Sequence, residues 1–124
     1  MGRDYTNDEL VVRIWDKENV LKTINRHSYY YTNEQRQEEL DAIWVREPEN
    51  RATASLSYNN GFFVGMDEIK RHYVDFRAEQ RDKALAPFRA AGAAAEPGFG
   101  CAAMHTSTTP LVYIADDGKT AQYL

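Results

Sequence analysis

The stretch from Leu111 to Leu124, LVYIADDGKTAQYL, restricts the fold more than any other part of the chain. An apolar run, a tight turn and a second short run together read as a β-hairpin. Asp117-Gly118 suits the two central positions of a type I′ turn, which demands positive φ at both. That register sets Asp116 opposite Lys119, Ile114 opposite Ala121 and Leu111 opposite Leu124. His105 to Pro110 then find no partner in the hairpin, and a bare edge invites pairing with another strand or another chain. Strand alternation puts His105, Ser107, Thr109, Leu111 and Tyr113 on one face. That face is polar near His105 and apolar further on, as in a cavity holding a mostly apolar ligand with one polar reacting end.

Upstream, the pattern turns helical. Thr6 can cap a helix whose first turn carries Asp8 and Glu9, where the helix dipole favours acids. Leu10, Val11, Ile14, Leu21 and Ile24 recur at helical spacing, widened by Trp15 and Val20, and extend the helix to about Tyr30. Thr32 or Asn33 can cap a shorter helix, NEQRQEELDAIWV, with Leu40, Ile43 and Trp44 inward and the charged run EQRQEELD in solvent. Pro48 ends that segment. RATASLSY has partial strand character, Asn59-Asn60-Gly61 is a turn signal, and GFFVG reads as a short buried strand. MDEIKRHYVDFRAEQRDKALAPF is a third helix, with Asp67 as a cap and Ile69, Tyr73 and Phe76 as its buried stripe. Leu85 to Gly100 form an Ala/Gly/Pro-rich connection. The order predicts one α+β domain over residues 1–124, its helices packed on one side of a curved antiparallel sheet.

Composition narrows the function. The formal net charge of −4 gives no electrostatic reason to expect nucleic acid or an anionic membrane as partner. Apolar runs are interrupted by charge too often to span a membrane, and the first residues lack the apolar middle of a signal peptide. Cys101 is the single cysteine, which excludes a disulfide framework within the chain and fits a reducing, cytoplasmic compartment. The three histidines share no metal-ligand spacing, and the glycines show neither phosphate-loop nor dinucleotide spacing. No metal and no cofactor is expected.

Three stretches resemble the SnoaL-like branch of the NTF2-like superfamily, which also holds ketosteroid isomerases and scytalone dehydratases. RHSYYYTNEQRQEELDAIWV is similar to the family's aromatic-rich helix end and following short helix. GFFVGMDEIKRHYVDF is similar to its strand, glycine (here Gly65) and acid-opened helix. HTSTTPLVYIADDGKTAQYL is similar to its histidine, extended strand and Asp-Gly-x-Thr-Ala turn. The resemblance implies a cone, a strongly curved (cystatin-like) sheet wrapped around a long helix with a pocket at the open end. It implies His105 as general base and places the orienting aspartate of the lyase-like members at about Thr32. A hydroxyl there can accept a hydrogen bond from imidazole but does not stabilise imidazolium as a carboxylate does. Family members continue for two more long strands, so the expectation is a C-terminally truncated sheet or one completed by a partner, with a homodimer through the sheet.

The resulting expectation is a small-molecule enzyme of lyase or isomerase type. His105 abstracts a proton from an apolar cyclic or aromatic substrate, while Tyr29 or Tyr30 steadies developing oxygen charge. Thr32 stands behind the base, and Tyr29, Trp44, Tyr58, Leu111 and Tyr113 line the ligand site. The alternatives are a non-catalytic ligand-binding protein and an interaction subunit completed by another chain. Packing competes with each role: Trp44 and any one of the tyrosines can simply be core. His27 and His72, among charged helical neighbours, read as surface residues.

Overall fold

The computed structural model describes residues 4–58, 61–92 and 108–124. It is mixed helix and small antiparallel sheet, consistent with the α+β expectation. The chain forms two compact units, Met1–Ser28 with Thr106–Leu124, and Tyr29–His105. No helix among the described residues is long and apolar enough to cross a membrane.

The first unit holds most of α1 (Asn7–Thr32) and the C-terminal hairpin, β3 (Val112–Ile114) and β4 (Ala121–Tyr123). A capping box starts α1. The Glu9 N–H donates to Thr6 Oγ1 at 3.2 Å, and the Thr6 N–H donates to Glu9 Oε2 at 2.8 Å. The apolar stripe forms as helix but is not covered within its unit: Leu10, Val11, Ile14 and Trp15 are exposed. In the hairpin, Ile114 lies opposite Ala121, and Leu111 and Leu124 exchange both backbone hydrogen bonds, at 3.1 and 3.0 Å, as the register predicts. The turn is not type I′. Gly118 has φ +67°, whereas the non-glycine positive-φ positions among the described residues are Glu34 and Thr109, so Asp117 does not share it. The loop is instead four residues, Asp116 to Lys119. The Gly118 N–H donates to the Ala115 carbonyl, and Asp117 Oδ1 accepts the Lys119 N–H at 2.9 Å. A local side-chain acceptor has replaced the second left-handed residue. An isolated hairpin is marginal in water, and here Arg13 ties it to α1, donating to the Ile114 and Ala115 carbonyls at 2.6 and 3.2 Å.

The second unit runs from the last turn of α1 through α2 (Arg36–Ile43), one helical turn α3 (Pro48–Arg51), and the hairpin β1 (Ser55–Tyr58) and β2 (Gly61–Val64). A continuous helix follows: α4 (Met66–Lys70), a π-helical stretch (Arg71–Phe76) and α5 (Arg77–Ala90). Pro48 starts a turn as well as ending the previous segment, because a proline at the first helical position loses no hydrogen bond. The predicted turn at Asn59-Asn60 lies outside the described residues. β2 is not buried: Phe62 and Val64 are exposed, and Phe63 alone turns inward, opposite Leu56. The core gathers Tyr31, Leu40, Met66, Ile69 and Tyr73, with Trp44, Leu56 and Phe63 against it.

The junction from β2 to α4 rests on Gly65. Its φ of +86° and ψ of 144° lie in a region that essentially only glycine occupies. Its N–H donates to the Ala54 carbonyl at 2.8 Å, and its own carbonyl accepts the Ile69 N–H at 3.0 Å. Asp67 is therefore inside the first turn, and the cap position belongs to Gly65. A Cβ at Gly65 would meet only the Ala52 carbonyl oxygen at 3.8 Å, an ordinary contact, so the cost of adding one is backbone strain alone. Gly65→Ala should lose about 2 kcal/mol by urea denaturation. A loss under about 0.5 kcal/mol would mean that the strand–helix junction relaxes freely.

Candidate functional site

The second unit concentrates its polar groups around one buried carboxylate. Glu39, on α2, is 0% exposed. Its Oε2 accepts the Tyr73 hydroxyl at 2.8 Å, and its Oε1 accepts the Trp44 indole N–H at 3.2 Å. The charged run of α2 is thus not all solvated. Arg36, Glu39 and Leu40 share one face at helical spacing, and that face is buried. Arg36 lies flat against aromatic faces, its guanidinium carbon 4.0 Å from the Tyr31 ring centre and 4.7 Å from that of Tyr73. Burial, followed by the hydrogen bond to Glu39 and its charge, pushes the Tyr73 phenol far above its ordinary pKa.

The Tyr31 and Tyr58 hydroxyls are 2.9 Å apart. Burial alone would raise the Tyr31 pKa. The hydrogen bond with Tyr58 and the Arg36 guanidinium outweigh it, and the Tyr31 phenol ends below its ordinary value. Tyr58 moves the opposite way, raised first by its hydrogen bond to Tyr31 and then by burial. The two phenols form a polarised pair, with Tyr31 the better acid.

Next to this pair is the residue that sequence reasoning misplaced. His72 is 8% exposed, not at the surface. Its imidazole stacks on Phe63 at 3.9 Å and 14°, and on Phe76 at 5.5 Å and 17°, with the Tyr58 ring at 5.9 Å. The π-helical widening explains the change. A π turn advances fewer degrees per residue than an α turn, so a stripe spaced for α-helix drifts across the stretch. His72 and Tyr73 both turn inward, and Phe76, predicted as core, ends at the half-exposed rim. A cleft of about 380 Å³ opens here, lined by Phe63, Arg71, His72, Asp75, Phe76 and Glu79. Burial, then the charges of Arg77 and Arg71, lower the His72 pKa from 6.5, so the ring is neutral and can accept a proton.

The sequence-predicted site residues are divided. Trp44 and Tyr58 join the buried aromatic and polar groups of the second unit. Tyr30 is half-buried, with the ring of Tyr29 edge-on at 5.6 Å, and Tyr29 is exposed. Thr32 is the last residue of α1 and half-buried. Leu111 and Tyr113 lie on the exposed face of the C-terminal hairpin, in the other unit, while Val112 and Ile114 take the half-buried face. His105 lies outside the described residues, as does Cys101. Glu39 and Arg36 were missed as well; the spacing of Glu39 and the apolar Leu40 three and four residues after Arg36 was their only local signal. Among the described residues, no group of three histidine, cysteine or acidic side chains is placed to hold a metal ion. No family model, curated protein or solved structure matches the chain.

Two outcomes are expected of this geometry. Tyr73→Phe removes the donor to Glu39 Oε2 and should cost about 1–3 kcal/mol in urea denaturation. Glu39→Ala strands the Trp44 and Tyr73 donors together and should cost more, about 3–5 kcal/mol; the reverse order would remove Glu39 from the centre of the network. The depressed His72 pKa means that below 6.5 the unfolded chain binds the proton better. Its contribution to stability is complete above pH 6.5 and is lost as pH falls from there through the folded pKa. His72→Gln should flatten the stability-versus-pH curve in that window, measured by urea midpoints between pH 7.5 and about 5.

Proposed function

We propose that the chain is a small-molecule-binding protein of the SnoaL-like, NTF2-like kind, taking a flat, mainly apolar cyclic or aromatic ligand. One observation carries this reading: a neutral imidazole, stacked between Phe63 and Phe76, stands in the wall of an open cleft. Aromatic faces favour a planar ligand by stacking, and the neutral ring, with Arg71, Asp75 and Glu79, offers hydrogen bonds to one polar end. The order of long helix, short helix, hairpin, helix and hairpin supports the NTF2-like reading. The cone also needs the two strand pairs to join one larger sheet, within one chain or with strands of a second copy in a homodimer.

A catalytic form of the same reading has its own support. The Tyr31–Tyr58 pair, with Tyr31 more acidic than an ordinary phenol, is suited to donate to an oxygen that gains negative charge. With His105 as base and Thr32 behind it, as the family resemblance implies, and Tyr30 steadying developing oxygen charge, the reaction would be proton abstraction next to a carbonyl, as in a lyase or isomerase.

Both forms are tested on one sample. Titration with 2-naphthol, indole and the cyclic ketone 2-tetralone, followed by NMR, should shift the His72 ring protons, and Phe76→Ala should weaken binding about tenfold. Shifts confined to Leu111 and Tyr113, or none, would overturn the cleft as the ligand site. For catalysis, the α protons of 2-tetralone should exchange for deuterium faster with protein than without. His105→Ala should slow that exchange by about 10²–10⁴-fold with the melting temperature unchanged. A fall in melting temperature with it would make His105 structural.

A further inference from the structure

A second cleft, of about 180 Å³, is lined by Glu34, Arg36 and Glu38 at the start of α2 and by Arg77 and Arg81 on α5. It shares Glu34, Arg77 and Arg81 with an adjoining hollow of about 300 Å³. None of these residues lines the His72 cleft, so a ligand here is independent of the aromatic ligand proposed for that cleft.

The arginines here are unusual in their hydrogen bonding. Arg36 is 4% exposed, and its Nε donates to Glu34 Oε2 at 3.3 Å. Its Nη2 is buried with no hydrogen-bond partner, and so is Arg77 Nε. A buried guanidinium N–H without an acceptor forgoes a strong, charge-assisted hydrogen bond, and proteins rarely leave one so. The two arginines that carry these donors, on two different helices, line one cleft. The charges in the cleft are three arginines against Glu34 and Glu38, which leaves it net positive. Glu34 is held beside Arg36 by a left-handed backbone, φ 55°, that a non-glycine residue seldom adopts.

We propose that this cleft binds a small oxyanion, a phosphate or carboxylate group, through the unpartnered N–H groups of Arg36 and Arg77, with Arg81 at the rim. The planar guanidinium fork matches two oxygens of such a group, and the Tyr31 and Tyr73 rings fix the Arg36 plane in advance. Glu34 already holds Arg36 Nε and competes with the incoming anion. Its carboxylate therefore keeps affinity down, and its removal raises it.

The test is NMR of the arginine side-chain N–H signals in the full chain, titrated with sodium phosphate, sodium acetate, and sodium chloride at matched ionic strength. The Arg36 and Arg77 signals should move saturably with phosphate or acetate and not with chloride. The preferred anion tells a tetrahedral from a planar group. Arg77→Gln should weaken that binding about tenfold, and Glu34→Gln should tighten it several-fold. Equal response to chloride, or no saturable shift, overturns the proposal. If Arg77→Gln does not fold, Arg81→Gln takes its place, and unchanged affinity in both Arg81→Gln and Glu34→Gln overturns the proposal equally.

Discussion

A buried carboxylate with a donor on each oxygen is the constraint around which the Tyr29–His105 unit is arranged. Glu39 accepts from Tyr73 and Trp44, and an acid at that depth is tolerable only because both are in place. This requirement fixes three things together. It sets the face that α2 turns inward, it brings Trp44 back against the core just after the helix ends, and it holds Tyr73 at the π-helical stretch. Apolar packing of Leu40, Met66 and Ile69 supplies the driving force for burial, but it would tolerate small rotations of either helix. The hydrogen bonds do not, because they are directional.

The π-helical stretch is where this arrangement meets function. With Tyr73 committed to Glu39, a regular α-helix would carry Phe76 onto the same face as Ile69 and Tyr73. The wider turn lets consecutive residues, His72 and Tyr73, both face inward. One serves the buried network and the other stacks with Phe63 and Phe76 at the cleft. A local departure from α-helical geometry thus couples a structural group to one that can take part in binding.

Features set by short-range chemistry were legible in the sequence. The helix start at Thr6, with Glu9 in its first turn, and the pairing of Ile114 with Ala121 each depend on residues a few positions apart. The hairpin loop was only half legible: Gly118 takes the left-handed conformation, but the Asp117 side chain satisfies the Lys119 backbone N–H and leaves its own φ negative. Glu39, Arg36 and His72 were misread for a common reason. Each is polar and has polar or charged residues close by in sequence, so a local window assigns it to solvent, and what buries it comes from elsewhere in the chain: Tyr73 for Glu39, the Tyr31 and Tyr73 rings for Arg36, Phe63 for His72. The resemblance pointed to His105, which lies outside the described residues; among those described, His72 is the histidine that lines a cleft.

The placement of the contacts along the chain has a kinetic consequence. The capping box, both hairpins and the Arg71–Glu68 and Lys83–Glu79 pairs close within a few residues and can form as soon as their segments meet. The Tyr73–Glu39 bond spans 34 residues, including a strand pair and a helical turn that must already be compact. Loop-closure entropy makes it a late event on the folding route. Until it closes, Glu39 can remain hydrated, so the desolvation of the acid waits until its Tyr73 donor is at hand.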